Sequence, residues 1–233
     1  MNNFFEKICK IVDLFLNSCT EITQKMEQTT IKNDHTRLPV AEEFYSVQGE
    51  GANAGSAAYF VRLAGCDVRC PFCDSKATWN ASRHTLADTN DIAARAANTP
   101  ARTVVITGGE PLMHNLDALC KALRRHGLTI WLETSGSHRL TGSFDWICVS
   151  PKTQKPPLDA LLRAADELKV VIEGAQSFQF AERCAAKVPE GCALTLQAEW
   201  DSREAVYPQI FSYVLEHPEW RISIQTHKIL NIR

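Results

Sequence analysis

The chain has 233 residues, 45% of them hydrophobic, enough to bury the core of one domain plus a short extension without a second catalytic domain. Its formal net charge of −2 at pH 7 provides no bulk basic field for nucleic acid or an anionic membrane, so a small-molecule substrate is the expectation. Nine cysteines without a secretory hydrophobic region point to a reducing, cytoplasmic setting rather than a disulfide framework.

Along the chain, Phe4, Phe5, Ile8, Val12, Phe15 and Leu16 recur at helical spacing. Glu6, Lys7, Lys10 and Asp13 interrupt that run too often for a membrane span. Residues 1–37 are therefore expected to be an amphipathic helix with a polar linker from Thr29 to Thr36, an extension that the catalytic domain at 38–233 does not require. From Leu38 onward, apolar runs alternate with helical patterns, the signature of βα units around a parallel sheet. Seven strands are predicted: Tyr59–Leu63, Thr103–Thr107, Leu128–Glu133, Asp145–Val149, Leu168–Ile172, Ala193–Gln197 and Arg221–Gln225. Helices are predicted between them over Ile92–Ala97, Leu116–Arg125, Leu158–Ala165, Phe178–Ala186 and Glu204–Glu216, with Gly127 as a helix stop. This segment is shorter than the roughly 250 residues of a complete eight-stranded barrel, so the fold class is α/β, a partial, open βα barrel with its chemistry at the carboxyl ends of the strands.

Polar residues unsuited to a buried sheet gather at those ends. The first strand runs into Cys66-Asp-Val-Arg-Cys70-Pro-Phe-Cys73, the second into Thr107-Gly-Gly-Glu-Pro111, the third into Glu133-Thr-Ser-Gly136 and the fourth into Ser150-Pro-Lys152. Three cysteines in eight residues suit zinc or an iron–sulfur cluster. A closed zinc site wants a fourth ligand, whereas three thiolates on a four-iron cluster leave one iron open to a substrate or cofactor. The other cysteines, Cys9, Cys19, Cys120, Cys148, Cys184 and Cys192, are scattered without ligand spacing and read as small apolar residues.

The C-x3-C-x2-C spacing resembles the signature of radical S-adenosylmethionine enzymes, and Thr107–Pro111 resembles the motif that receives the methionine amino group in them. More narrowly, the stretch from Glu43 to the C-terminus is similar to the 7-carboxy-7-deazaguanine synthases. The likeness is carried by Phe44–Gly51, Phe60–Cys66, Cys73–Ser75, Ile106–Pro111, Glu133–Gly136, Ser150–Lys152 and Gln225–Asn231. It implies a ring contraction of 6-carboxy-5,6,7,8-tetrahydropterin to 7-carboxy-7-deazaguanine with release of ammonia, on the route to queuosine. The implied cofactors are one 4Fe-4S cluster, S-adenosylmethionine and Mg2+, with a flavodoxin-like electron donor and a homodimeric state.

Carried over residue by residue, the resemblance makes Cys66, Cys70 and Cys73 the cluster ligands. Phe72, Cys73, Asp74, Gly109, Ser150, Pro151, Lys152 and Gln197 become S-adenosylmethionine contacts, and Ser75 the hydroxyl for magnesium. Val47, Gln48, Gly49, Arg62, Thr107, His227 and Arg233 become pterin contacts, Arg62 through the substrate carboxylate; Lys228 lies beside them, and Glu133 is a candidate for either ligand. After Gln197 the chain reads Ala-Glu-Trp-Asp and departs from the family pattern, in which several relatives place a proline. Two other classes fit the cysteines: an activase that makes a glycyl radical on a partner protein, which has no need of Gln48–Gly51 or Gln225–Lys228, and a zinc-stabilised binding module.

Overall fold

A computed structural model describes residues 35–232. The predicted N-terminal helix lies outside the described residues, as does all of the linker except a turn at 35–36. The strands are β1 (Arg37–Val47), β2 (Ala57–Leu63), β3 (Thr85–Asp88), β4 (Thr103–Gly108), β5 (Thr129–Thr134), β6 (Trp146–Val149), β7 (Glu167–Ile172), β8 (Ala193–Ala198) and β9 (Trp220–Ser223). The helices are α1 (Thr89–Ala97), α2 (Asp117–Arg125), α3 (Asp159–Leu162), α4 (Ala175–Ala185), α5 (Arg203–Glu216) and α6 (Thr226–Leu230). No helix among the described residues is long and apolar enough to cross a membrane.

The nine strands of the described residues form one sheet in the order β3-β1-β2-β4-β5-β6-β7-β8-β9. β1 runs antiparallel to both β2 and β3, and every pairing from β2 onward is parallel. The seven predicted strands are all present, with small shifts of their ends, and the sheet is open, as expected of a partial barrel. β1 and β3 are additions to the predicted set. β1 escapes the strand pattern because Pro39 and the pair Glu42-Glu43 break its apolar run, and β3 has only four residues.

Side-chain alternation explains how this sheet can carry both a core and a site. On β4, Val104 and Ile106 point to the helices, while Val105 and Thr107 point the other way. On β7, Leu168, Val170 and Ile172 face the helices, and Lys169 and Val171 line a cavity. The outer layer packs against Ile92, Leu119, Leu123, Leu161, Leu162 and Ile210 from the helices. A parallel strand buried on two apolar faces reads as a continuous hydrophobic run, so the polar residues that interrupt these runs mark the inner face.

Candidate active site

The sheet curls far enough for the loop between β1 and β2 to reach the far strands across this inner face. The loop between β1 and β2 is closed on itself by Gln48 N to Ser56 O at 2.7 Å and Gly55 N to Gln48 O at 2.7 Å. It then reaches over to the far strands. Gly51 N donates to Ser223 Oγ at 2.8 Å, Ala52 N to Glu167 Oε1 at 3.0 Å, and Thr226 N to the Gly49 carbonyl at 2.9 Å. Glycine is required along this strap. A Cβ on Gly49 would stand 2.2 Å from His227 Nδ1, and Gly51 has φ +70 with Glu167 Oε1 only 2.3 Å from where a Cβ would be. The strap, the strand ends and the cysteine loop together enclose a cavity of about 320 Å³.

The cysteine loop is held by its backbone. Gly65 N donates to Thr78 O at 2.7 Å, Cys66 N to Trp79 O at 3.2 Å, Cys73 N to Cys70 O at 3.1 Å, and Glu110 N to Gly65 O at 2.8 Å. Cys66, Cys70 and Cys73 are free thiols that all line the cavity, and among the described residues no fourth cysteine lines it. Among the described residues no three His, Cys, Asp or Glu side chains converge on a single-ion position. Burial pushes the Cys70 thiol up, an effect that the nearby Lys152 charge opposes. The Trp79 indole N–H, on the same wall, is the buried side-chain donor without a partner among the described residues. Three thiols, no closing fourth and an unused donor beside them fit a cluster with one open iron and are one ligand short of a structural zinc site.

Around the loop stand the other predicted contacts. Phe72, Cys73, Asp74, Gly109, Ser150, Lys152 and Gln197 line the cavity, as do Val47, Gln48, Gly49, Arg62, Ser75, Thr107, Glu133, His227 and Lys228. Pro151 is buried between its neighbours without lining it, and Arg233 lies outside the described residues. Arg62 Nε donates to Glu42 Oε1 at 2.7 Å and its Nη1 reaches Ser75 Oγ at 3.4 Å, while Ser75 Oγ donates to Asp74 Oδ1 at 3.0 Å. Lys152 Nζ is fastened to both oxygens of Ser150 at 2.6 Å, and burial lowers its pKa. Gln197 Oε1 accepts from Ser223 Oγ at 2.9 Å, which ties β8 to the strap. The Glu110 carboxylate turns into the protein and takes Leu112 N, Thr134 Oγ1 and both donors of Ser135.

Comparison with known proteins agrees with this geometry. The pattern of the Radical SAM superfamily matches residues 61–140. The chain is 51% identical over 195 residues to 7-carboxy-7-deazaguanine synthase of Synechocystis sp., covering 84% of this chain and 93% of that one. It is 47% identical to the enzyme of the same name from Flavobacterium psychrophilum, over 84% of this chain and 92% of the relative. The chain belongs to the 7-carboxy-7-deazaguanine synthase family. The crystal structure of QueE from Escherichia coli superposes with a TM-score of 0.73 at 30% identity, covering 83% of this chain and 96% of that one. Membership in this synthase family removes the glycyl-radical activase and the zinc module from consideration.

Two groups at the centre of the site escaped the sequence reading. Lys169 was hidden as one charge inside an apolar strand, and Glu50 was part of a quoted motif without a role. Lys169 Nζ lies 2.9 Å from Glu50 Oε2 and 2.9 Å from Glu133 Oε2, with its side chain 5% exposed. A charge in the middle of a predicted buried strand is the signal that could have found it, since an unpaired ammonium there is prohibitively costly.

Proposed function

We propose that this cavity carries out the reaction from which the family takes its name. In it, 6-carboxy-5,6,7,8-tetrahydropterin becomes 7-carboxy-7-deazaguanine with release of ammonia. The observation that carries the reading is the convergence on one cavity of three cysteines, with no fourth among the described residues, and, beside them, of Arg62 and Ser75. In this reading Cys66, Cys70 and Cys73 hold a 4Fe-4S cluster, and S-adenosylmethionine lies against Phe72–Asp74, Gly109, Ser150–Lys152 and Gln197. When bound, the cluster and S-adenosylmethionine supply one-electron hydrogen-abstraction chemistry.

The chain's own residues then bind, orient and enclose. Arg62 presents a guanidinium to the substrate carboxylate, and its Nε bond to Glu42 fixes the plane of the fork. Ser75 Oγ and Asp74 Oδ1 stand together as hard oxygen donors next to Arg62 and would hold Mg2+, which would supply positive charge toward the substrate carboxylate. Thr107, Val47, Gln48, Gly49 and His227 line the rest of the pterin side. Phe44 and Phe60, stacked with centroids 4.9 Å apart, make the wall apolar, and the strap closes over it. Such enclosure keeps solvent away and the target carbon within near-attack distance, roughly 3–3.5 Å.

A flavodoxin-like electron donor, a homodimer and a cytoplasmic location complete the reading. The dimer is supported by the open edge at β9, where Ile222, Ile224, Ile229 and Leu230 are exposed. The extension 1–37 is not required for the chemistry in this account, and Arg233 is assigned to the pterin side. The test is anaerobic turnover by reconstituted protein with S-adenosylmethionine, Mg2+, a reductant and 6-carboxytetrahydropterin, read by mass spectrometry. Formation of 7-carboxy-7-deazaguanine is expected; a four-iron protein that cleaves S-adenosylmethionine without forming it overturns the substrate assignment.

A further inference from the structure

The ion-paired lysine of β7 has no task in the contacts described so far. Its ammonium is shared between a carboxylate on the strap, Glu50, and one at the end of β5, Glu133. The second oxygen of Glu50 accepts from Gln225 Nε2 at 2.7 Å, and the second oxygen of Glu133 accepts from Gln48 Nε2 at 2.9 Å. Each carboxylate thus has one cationic and one amide donor, and a carboxylate has about four acceptor positions. All five residues line the cavity. Two anions around one cation leave this wall with acceptor capacity and a surplus negative charge.

That arrangement has a direction. Arg62, which suits an anionic substrate group, is on β2, four strands away from β7 in the sheet order and on another side of the curled wall. A molecule with a carboxylate at one end and several N–H groups at the other is oriented by such a field, the carboxylate to Arg62 and the N–H edge to Glu50 and Glu133. A reduced pterin carries that pattern: an amino group and ring N–H groups opposite its 6-carboxylate.

Resting on the function proposed above, we infer that Lys169 is a positioning residue. It holds Glu50 and Glu133 at one separation, as paired acceptors for the donor edge of the pterin, and through Glu50 it pins the strap over the bound substrate. Burial on its own would raise the Glu50 carboxyl, but the charge and hydrogen bond of Lys169, helped by Gln225, set it at about 2. Burial would likewise lower Lys169, and Glu133 and Glu50 more than reverse this. The other titratable or charged groups facing the cluster are Glu167 on the same strand, Cys148 on β6, Lys152 beyond it, Tyr207 on α5 and His227 on α6. Of the carboxylates, Glu167 is engaged elsewhere, with Thr195 Oγ1 at 2.9 Å and Ala52 N at 3.0 Å.

The experiment compares wild type, Lys169→Met and the double variant Glu50→Gln/Lys169→Met in the same pterin assay. Without the lysine, two facing carboxylates share a proton, and the protonated oxygen offers a donor where an acceptor is needed. Lys169→Met should raise KM for 6-carboxytetrahydropterin about tenfold or more, with iron content and S-adenosylmethionine Kd unchanged. The defect should ease as pH rises and the pair ionises. The double variant has the net charge of the wild-type triad and no facing pair, so its pterin KM should be elevated but independent of pH. It carries the test if Lys169→Met does not fold. A wild-type pterin KM in either variant overturns the inference, as does a pH-independent rise in Lys169→Met or an equal loss of S-adenosylmethionine binding. If wild type itself makes no product, the proposed function fails first.

Discussion

Gly109 lies so close to Gly65 that a Cβ on Gly109 would stand 2.2 Å from the Gly65 carbonyl oxygen and 2.9 Å from Cys66 Cβ. The same carbonyl accepts from Glu110 N at 2.8 Å, so the turn after β4 is the bed on which the cysteine loop rests. Gly109→Ala must therefore displace the loop or the turn, at a cost on the order of 3 kcal/mol. Iron per chain after anaerobic reconstitution should fall well below wild type. Full iron loading with unchanged thermal stability would show that the contact does not position the cysteines.

Ligand and substrate roles separate in two substitutions. Cys70→Ala should abolish cluster assembly and all S-adenosylmethionine cleavage, since it removes one of the three thiols that line the cavity among the described residues. Arg62→Ala should leave iron content and S-adenosylmethionine binding intact and lower kcat/KM for the pterin about a hundredfold, the loss of a charge-assisted fork. A normal pterin turnover rate in either variant contradicts the assignment.

Ser75 offers a narrower test. Its hydroxyl lies between Asp74 Oδ1 at 3.0 Å and Arg62 Nη1 at 3.4 Å. Ser75→Ala should raise the Mg2+ concentration needed for half-maximal turnover without changing the visible absorption of the cluster. An unaltered Mg2+ titration removes Ser75 from the metal site.

Glu50 should leave a mark on stability as well as on catalysis. Its folded pKa, about 2, lies below the ordinary 4.5, so its pairing contributes stability that is fully present above the ordinary value and is lost as pH falls towards 2. The contribution is on the order of 3 kcal/mol at neutral pH. In urea unfolding, wild type should exceed Glu50→Gln at neutral pH, and the gap should close progressively below about pH 4.5. A gap that stays constant across this range would mean the carboxylate is not stabilised by the Lys169 pair.

The order of the seven parallel strands and of the five helices between them was legible because each is a local pattern: period-two apolar runs such as Thr103–Thr107 and helical runs such as Leu116–Arg125 specify themselves within a few residues. β1 was not legible, because what makes Pro39 and Glu42-Glu43 acceptable in a strand is their place beside β2 and β3, and that is a long-range fact. The same division runs through the site. Cys66, Cys70 and Cys73 stand within eight residues, so their spacing alone restricts what they can bind.

Lys169, Glu50 and Glu133 are separated by up to 119 positions, and no local rule joins them. The sequence by itself therefore determined the parallel strands and the helices between them, the thiol set and the family to which the chain belongs. Only the tertiary structure decided which charges meet, because curling the sheet brings the strap against β7 to β9, and a buried ammonium is tolerable only where folding delivers its carboxylates.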